Sequence, residues 1–248
     1  MGDAPRSDVP TRLPPRETAW FFDIDGTLAE MMPTPEMVQV APGIAERLTM
    51  LFGVSQGAVA VVSGRSLASI DALLAPLVLP ASGQHGAQRR NADGAVRAAG
   101  AATASLAAAR QRIAAWVGEN PLVRVEDKGH AIAIHYRAAP EFADAVHGFA
   151  EDLAAADRNL RAQPGKMVVE ILDAAHDKGA AIRAFLTEPP FRGRRPVFIG
   201  DDLGDEPGFE AVNRAGGVSI KVGTGPTAAQ YRLPDVQAVQ AWLAALVA

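Results

Sequence analysis

Three short apolar runs, each ending abruptly in polar residues, constrain this chain more than any other feature. Ala19-Trp20-Phe21-Phe22 runs into Asp23-Ile24-Asp25-Gly26-Thr27, Ala58–Val62 into Ser63-Gly64-Arg65, and Pro196–Ile199 into Gly200-Asp201-Asp202. Four or five apolar residues without alternation are the pattern of a strand buried on both faces, as in a parallel sheet covered by helices. Helix-patterned stretches lie between such runs. One opens at Pro42-Gly43 and reaches about Phe52, with Ile44, Leu48 and Leu51 on one side. A second runs from Ser66 to about Leu77, with Leu67, Ile70, Leu73 and Leu74 on its stripe. Asp177-Lys178 opens a third, through about Leu186, and Gln237 to Val247 forms the last. Leu77-Val78-Leu79 and Val218–Val222 read as further strands. This rhythm predicts an α/β fold with a parallel sheet. Ligands bind such sheets at the carboxyl ends of the strands, so the three polar clusters would share one functional edge.

The pattern changes from about Ala98. A helix over 103–117 precedes two strand-like runs, Leu122–Lys128 and His130–Arg137, joined tightly at Asp127-Lys128-Gly129. A helix after Pro140, to about Ala156, precedes two more, Asn159–Gln163 and Lys166–Ile171. Antiparallel pairing between helices reads as a second, smaller domain over 98–172, inserted into a core of 19–97 and 173–248. Residues 1–18, rich in proline and charge, read as a disordered tail and lack the apolar centre of a signal peptide. A formal charge of −4 gives no basic footprint for nucleic acid. No apolar run approaches the ~20 residues of a membrane span. The chain has no cysteine, which excludes disulfides and thiolate metal sites. The expectation is a cytoplasmic protein, with a monomer as the default.

Two carboxylates one residue apart at the end of a buried strand repel each other, and a bound cation or a catalytic role offsets that cost. In the stretch 201–206 four of six residues are acidic: Asp201, Asp202, Asp205 and Glu206. Acids suit a helix start. Beside Asp23 and Asp25, a hard divalent cation explains them better, and few carboxylates with waters and a substrate phosphate is the magnesium pattern. Lys178 stands in the first turn of its helix, where a cation is unfavourable by up to ~1 kcal/mol. A phosphate, or the Asp23 carboxylate, would hold it there. Thr27 and Ser63 add hydroxyls, and Gly26 and Gly64 let the backbone approach a ligand closely. Together these parts describe phosphoryl transfer by a carboxylate. One aspartate attacks phosphorus, a second manages the proton, and magnesium and lysine neutralise the phosphoryl oxygens.

Asp-x-Asp-Gly-Thr, Ser-Gly-Arg, Lys178 and Gly-Asp-Asp-x-x-Asp-Glu, in this order, resemble the four motifs of the haloacid-dehalogenase superfamily of phosphatases. Ser82-Gly83-Gln84-His85-Gly86, Glu126-Asp127-Lys128-Gly129, His135-Tyr136-Arg137, Gly165–Glu170 and Asp177-Lys178-Gly179 resemble the trehalose-6-phosphate phosphatase family. The likeness spans about residues 19 to 247. It implies a Rossmann-like parallel sheet core with an inserted α/β cap, and hydrolysis of trehalose 6-phosphate. By that resemblance Asp23 is the nucleophile and Asp25 the acid/base, and Ser63 and Lys178 bind phosphate. Asp23, the Asp25 carbonyl and Asp201 would hold magnesium, with Asp202 and Asp205 close by. One departure is Gly204, where the family usually has threonine.

The resemblance implies that substrate choice resides in the insertion, and periodicity supports this, although a solvated sheet face fits the pattern equally well. In Leu122–Lys128, Val123 and Val125 take one face while Arg124, Glu126 and Lys128 take the other. In Lys166–Ile171, Met167, Val169 and Ile171 oppose Lys166 and Glu170. A charged face of both signs suits a polyhydroxylated sugar, and the resemblance favours Glu126, Lys128 and Glu170 as its ligands, with Arg65 and His85 completing the pocket from the core. A related sugar-phosphate phosphatase, for sucrose phosphate or a mannosyl phosphate, and a non-catalytic sugar-phosphate-binding protein are the competing readings.

Overall fold

Every residue of the first strand, β1 (Thr18–Phe22), is buried in the computed structural model, which describes residues 4–32, 35–98, 103–118, 120, 122–165 and 167–247. The chain continues through α1 (Ile44–Val54), β2 (Val59–Val62), α2 (Leu67–Leu74), β3 (Ala81–Gly83), β4 (Gln88–Arg90) and β5 (Val96–Ala98). Then follow α3 (Ala104–Gly118), β6 (Arg124–Asp127), β7 (Ala131–His135), α4 (Ala143–Ala156), β8 (Leu160–Gly165) and β9 (Val168–Asp173). The last part holds α5 (Lys178–Leu186), β10 (Arg195–Gly200), α6 (Glu206–Arg214), β11 (Val218–Val222), β12 (Tyr231–Leu233) and α7 (Val236–Val247). Contacts divide the chain into two units, Met1–Arg97 with Asp177–Ala248, and Ala98–His176.

The first unit is built on an eight-stranded sheet in the order β12-β11-β10-β1-β2-β3-β4-β5. Pairing is parallel from β12 to β3, and β3 pairs antiparallel with β4. Alternate residues of β1 enter two separate cores. Trp20 and Phe22 pack with Ile44, Leu48, Ile70, Leu74, Trp242 and Leu243, whereas Ala19 and Phe21 pack with Ile182, Phe185, Phe191, Phe198 and Phe209. Helices on both faces explain why this strand is apolar throughout.

Three differences from the sequence expectation stand out. The run Leu77–Leu79 is not a strand; Pro76 and Pro80 bracket it, and the strand forms one step later, at β3. The short strands β4, β5 and β12 carry no periodic signal. The described part of the expected disordered tail lies against the core: Leu13 is buried, the Trp242 indole donates to Pro10 O at 2.9 Å, and the Arg6 main chain pairs with Gln230 and Arg232.

The second unit is an antiparallel sheet, ordered β6-β7-β9-β8. Ile132, Ile134, Val169 and Ile171 on one face pack with Leu106 and Ile113 of α3 and Val146 and Leu153 of α4. Val123 is buried as expected, but Val125 is 40% exposed, because β6 is an edge strand exposed at every residue. Lys166 lies outside the described residues. No helix among the described residues is long and apolar enough to cross a membrane.

Candidate active site

Asp23 follows β1 directly, and its N–H donates to Ile199 O at 3.0 Å, so the acid is carried at the end of the sheet by ladder pairing. The chain then turns over Ile24 O, which accepts from the N–H groups of Thr27, Leu28 and Ala29 at 3.1, 2.9 and 2.9 Å. Gly26 holds φ +75°, and a Cβ there would stand 2.0 Å from Asp201 Oδ2. Only glycine permits both that backbone and the close approach of the Asp201 carboxylate.

Lys178 is the first residue of α5, behind an Asp177 cap that accepts from Ala180 N–H at 2.5 Å. Its ammonium lies 2.9 Å from Asp23 Oδ1 and 2.6 Å from Asp205 Oδ1. The other Asp205 oxygen accepts from the N–H groups of Asp201 and Asp202 at 2.9 and 3.0 Å. Gly200 makes room for it, since a Cβ there would sit 2.3 Å from Asp205 Cγ. Asp202 is exposed and caps the single helical turn 203–205, which contains Gly204.

Carboxylate oxygens of Asp23, Asp201 and Asp205 lie within 4.8 Å of one another. Burial pushes the Asp23 carboxyl well above the ordinary range; Lys178 opposes this, and Asp205, Asp201 and Asp202 add to it. Burial, with Asp202 and Asp205, pushes Asp201 up to about 7 against Lys178 and Lys221. Burial likewise works against the Lys178 charge, but Asp205, Asp23 and Asp202 outweigh it and hold the ammonium well above the usual lysine value. One buried ammonium thus faces three crowded acids, and a proton or a hard cation would relieve the excess negative charge. Both Asp205 oxygens are already engaged. The carboxylates of Asp23 and Asp201 remain as oxygen donors whose chemistry fits such a cation.

Asp25 sits differently. Arg65 takes both of its oxygens, at 2.6 Å each, and donates to Ser69 Oγ at 3.2 Å. Ser63, buried at the end of β2, accepts from Arg65 N–H at 3.3 Å. A Cβ on Gly64 would meet His85 Cε1 at 2.8 Å, so this glycine gives space to the imidazole of His85, whose backbone has φ 56°. Thr27, expected to touch substrate, is fully enclosed, and its hydroxyl has no hydrogen-bond partner among the described residues.

Within the second unit, register aligns Glu126 with Ala133 and Ala133 with Glu170, which places both glutamates on one sheet face. Lys128 Nζ meets Glu170 Oε1 at 2.6 Å, and His135 meets Glu126 at 3.0 Å. Sequence reasoning missed Lys221, whose ammonium donates to the Asp201 carbonyl. The available signal was a lysine inside a strand otherwise made of Val, Ser and Ile.

The sequence profile of the trehalose-phosphatase family matches residues 21–237. The trehalose-6-phosphate phosphatase of Escherichia coli is 44% identical over 91% of this chain and 85% of its own length. A probable trehalose-phosphate phosphatase of Sinorhizobium fredii is 42% identical over 92% of this chain and 87% of its own. Among solved structures, the C-terminal domain of Candida albicans trehalose-6-phosphate phosphatase superposes with a TM-score of 0.84 at 19% identity, covering 99% of both chains. A haloalkanoate-superfamily phosphatase from Bacteroides thetaiotaomicron gives a TM-score of 0.64 at 17% identity, covering 96% of this chain and 97% of its own.

Proposed function

The chain belongs to the trehalose-phosphatase family and is a phosphoric monoester hydrolase, and from that premise we propose that it converts trehalose 6-phosphate to trehalose and phosphate through a phosphorylated Asp23. The observation that carries this reading is the buried Asp23, held 2.9 Å from the Lys178 ammonium with Asp201 close by. An Asp23 oxygen attacks phosphorus as the bond to the sugar oxygen breaks, and Asp25 gives that leaving oxygen its proton. Asp25 then takes a proton from water, which attacks the acyl phosphate and frees Asp23 and phosphate. Both steps require Asp25 to release at least one oxygen from Arg65. Lys178 and Ser63 hold phosphoryl oxygens, supplying charge where it develops.

Asp23, Asp201 and the Asp25 carbonyl would hold Mg2+, with Asp202 and Asp205 as its surroundings; when bound, the ion neutralises phosphoryl charge and the crowded acids. The inserted unit is the specificity cap in this reading, and Glu126, Lys128 and Glu170 are its sugar ligands, with Arg65 and His85 on the core side.

Phosphate release from a panel of sugar phosphates, with magnesium and with chelator, tests the reading. Magnesium-dependent preference for trehalose 6-phosphate is expected. Even turnover across the panel would remove the substrate assignment and keep the chemistry, and full activity in chelator would remove the metal.

A further inference from the structure

Lys221 is a buried cation that the chemistry above does not use. It is 4% exposed in β11, among Val218, Ile220 and Val222. Its ammonium donates to the Asp201 carbonyl and forms no ion pair with a carboxylate among the described residues. An ammonium buried with one main-chain carbonyl as its hydrogen-bond partner and no carboxylate in ion-pair contact among the described residues is costly, and an apolar side chain would serve the strand better. Packing therefore does not account for it.

Its place in the sheet does. Lys221 pairs in register with Gly200, the residue just before Asp201. The Asp201 N–H is held from the other side by Asp205 Oδ2, at 2.9 Å. Asp205 and Lys221 thus clamp the two peptide groups of Asp201, and its carboxylate is directed at the Gly26 turn. We propose that Lys221 is a positioning residue that fixes the Asp201 main chain so that its carboxylate meets magnesium in one orientation. This rests on Asp201 being a ligand of that ion.

Charge and geometry make opposite predictions here. A nearby cation repels magnesium, so losing the charge alone would tighten binding, whereas losing the clamp would weaken it. The test is calorimetric titration of the folded protein with MgCl2, together with the magnesium dependence of kcat. Lys221→Met should weaken magnesium binding by about 10- to 100-fold, the usual effect of losing a partner behind a metal ligand. Its kcat should recover at saturating magnesium, and Lys221→Arg should retain most of the affinity. Equal or tighter binding in Lys221→Met overturns the positioning role while leaving the metal site intact. No magnesium binding by the wild type overturns both. Should Lys221→Met not fold, Lys221→Thr, which suits a strand but is too short to reach the Asp201 carbonyl, enters the same titration; weaker binding supports the role, and equal or tighter binding overturns it.

Discussion

Replacing Gly179 by alanine separates helix propensity from site geometry. On propensity alone, alanine in α5 should add up to about 1 kcal/mol. The structure predicts the reverse. A Cβ on Gly179 would lie 2.3 Å from Pro207 O and 2.8 Å from Pro207 C, main-chain atoms at the start of α6. That is roughly 1 Å inside contact distance, and neither helix can yield by a rotamer change. Overpacking costs about 1–3 kcal/mol, and a clash with two rigid main-chain atoms belongs at the upper end, about 2–3 kcal/mol; set against the gain of about 1 kcal/mol, the net loss should be about 1–2 kcal/mol. In a chain of this size that lowers the melting temperature by roughly 2–8 °C. Gly179 adjoins Lys178, whose ammonium sits 2.9 Å from Asp23, and displacement by about 1 Å can reduce turnover about 100-fold. Gly148→Ala is the control: that glycine lies within α4 with nothing within 4 Å of a new Cβ, so about 0.5–1 kcal/mol of stabilisation is expected. Calorimetric melting and steady-state kinetics on both variants decide the matter. A Gly179→Ala protein that melts at or above the wild type with unchanged kcat would refute the close-approach reasoning.

Burial raises both Asp23 and Asp201, the latter to about 7, so the folded chain binds these protons more tightly than the unfolded one. Stability from that source is complete below the ordinary carboxyl value and is lost as pH rises towards 7; the metal-free melting temperature should therefore fall over about pH 5–7. Magnesium should restore more of it at the upper end, and a flat metal-free profile would count against the crowded-acid description. Deleting residues 1–12 should lower the melting temperature by several degrees, because the Trp242 indole N–H loses its acceptor and each lost hydrogen bond costs about 1 kcal/mol; an unchanged transition would restore the disordered tail. Glu170→Ala should raise KM for the disaccharide phosphate far more than for an aryl phosphate, and equal effects on both would remove Glu170 from sugar recognition.

What the sequence made legible was local. The strands that carry Asp23, Ser63 and Asp201 announce themselves by apolar runs, and Lys178 by standing where a helix start disfavours a cation. What escaped depends on contacts between distant segments. Arg65, expected to complete the sugar pocket, is brought to Asp25 by the sheet, which nothing local shows; nor does the acidic run reveal that Asp205 is engaged by Lys178 and two peptide N–H groups. The exposure of Val125 follows from the edge position of β6, a property of strand order that alternation cannot report. The tail looked unstructured because its composition is poor in apolar residues, yet it is anchored by the buried Leu13 and by main-chain groups of Arg6 and Pro10, which composition does not register.

The order of strands also has a consequence during synthesis. β1 emerges early from the ribosome, but one of its two ladder partners, β10, begins at Arg195, after the whole inserted unit has been made. Until then Asp23 has neither the Ile199 carbonyl that receives its N–H nor the Lys178 ammonium, and β1 presents an open edge of apolar residues. On the roles proposed for Asp23 and Lys178 a growing chain would be hydrolytically silent, and an unpaired strand of that kind is a template for misassociation. Completion of the polypeptide, rather than folding of its first half, brings the enzyme into being.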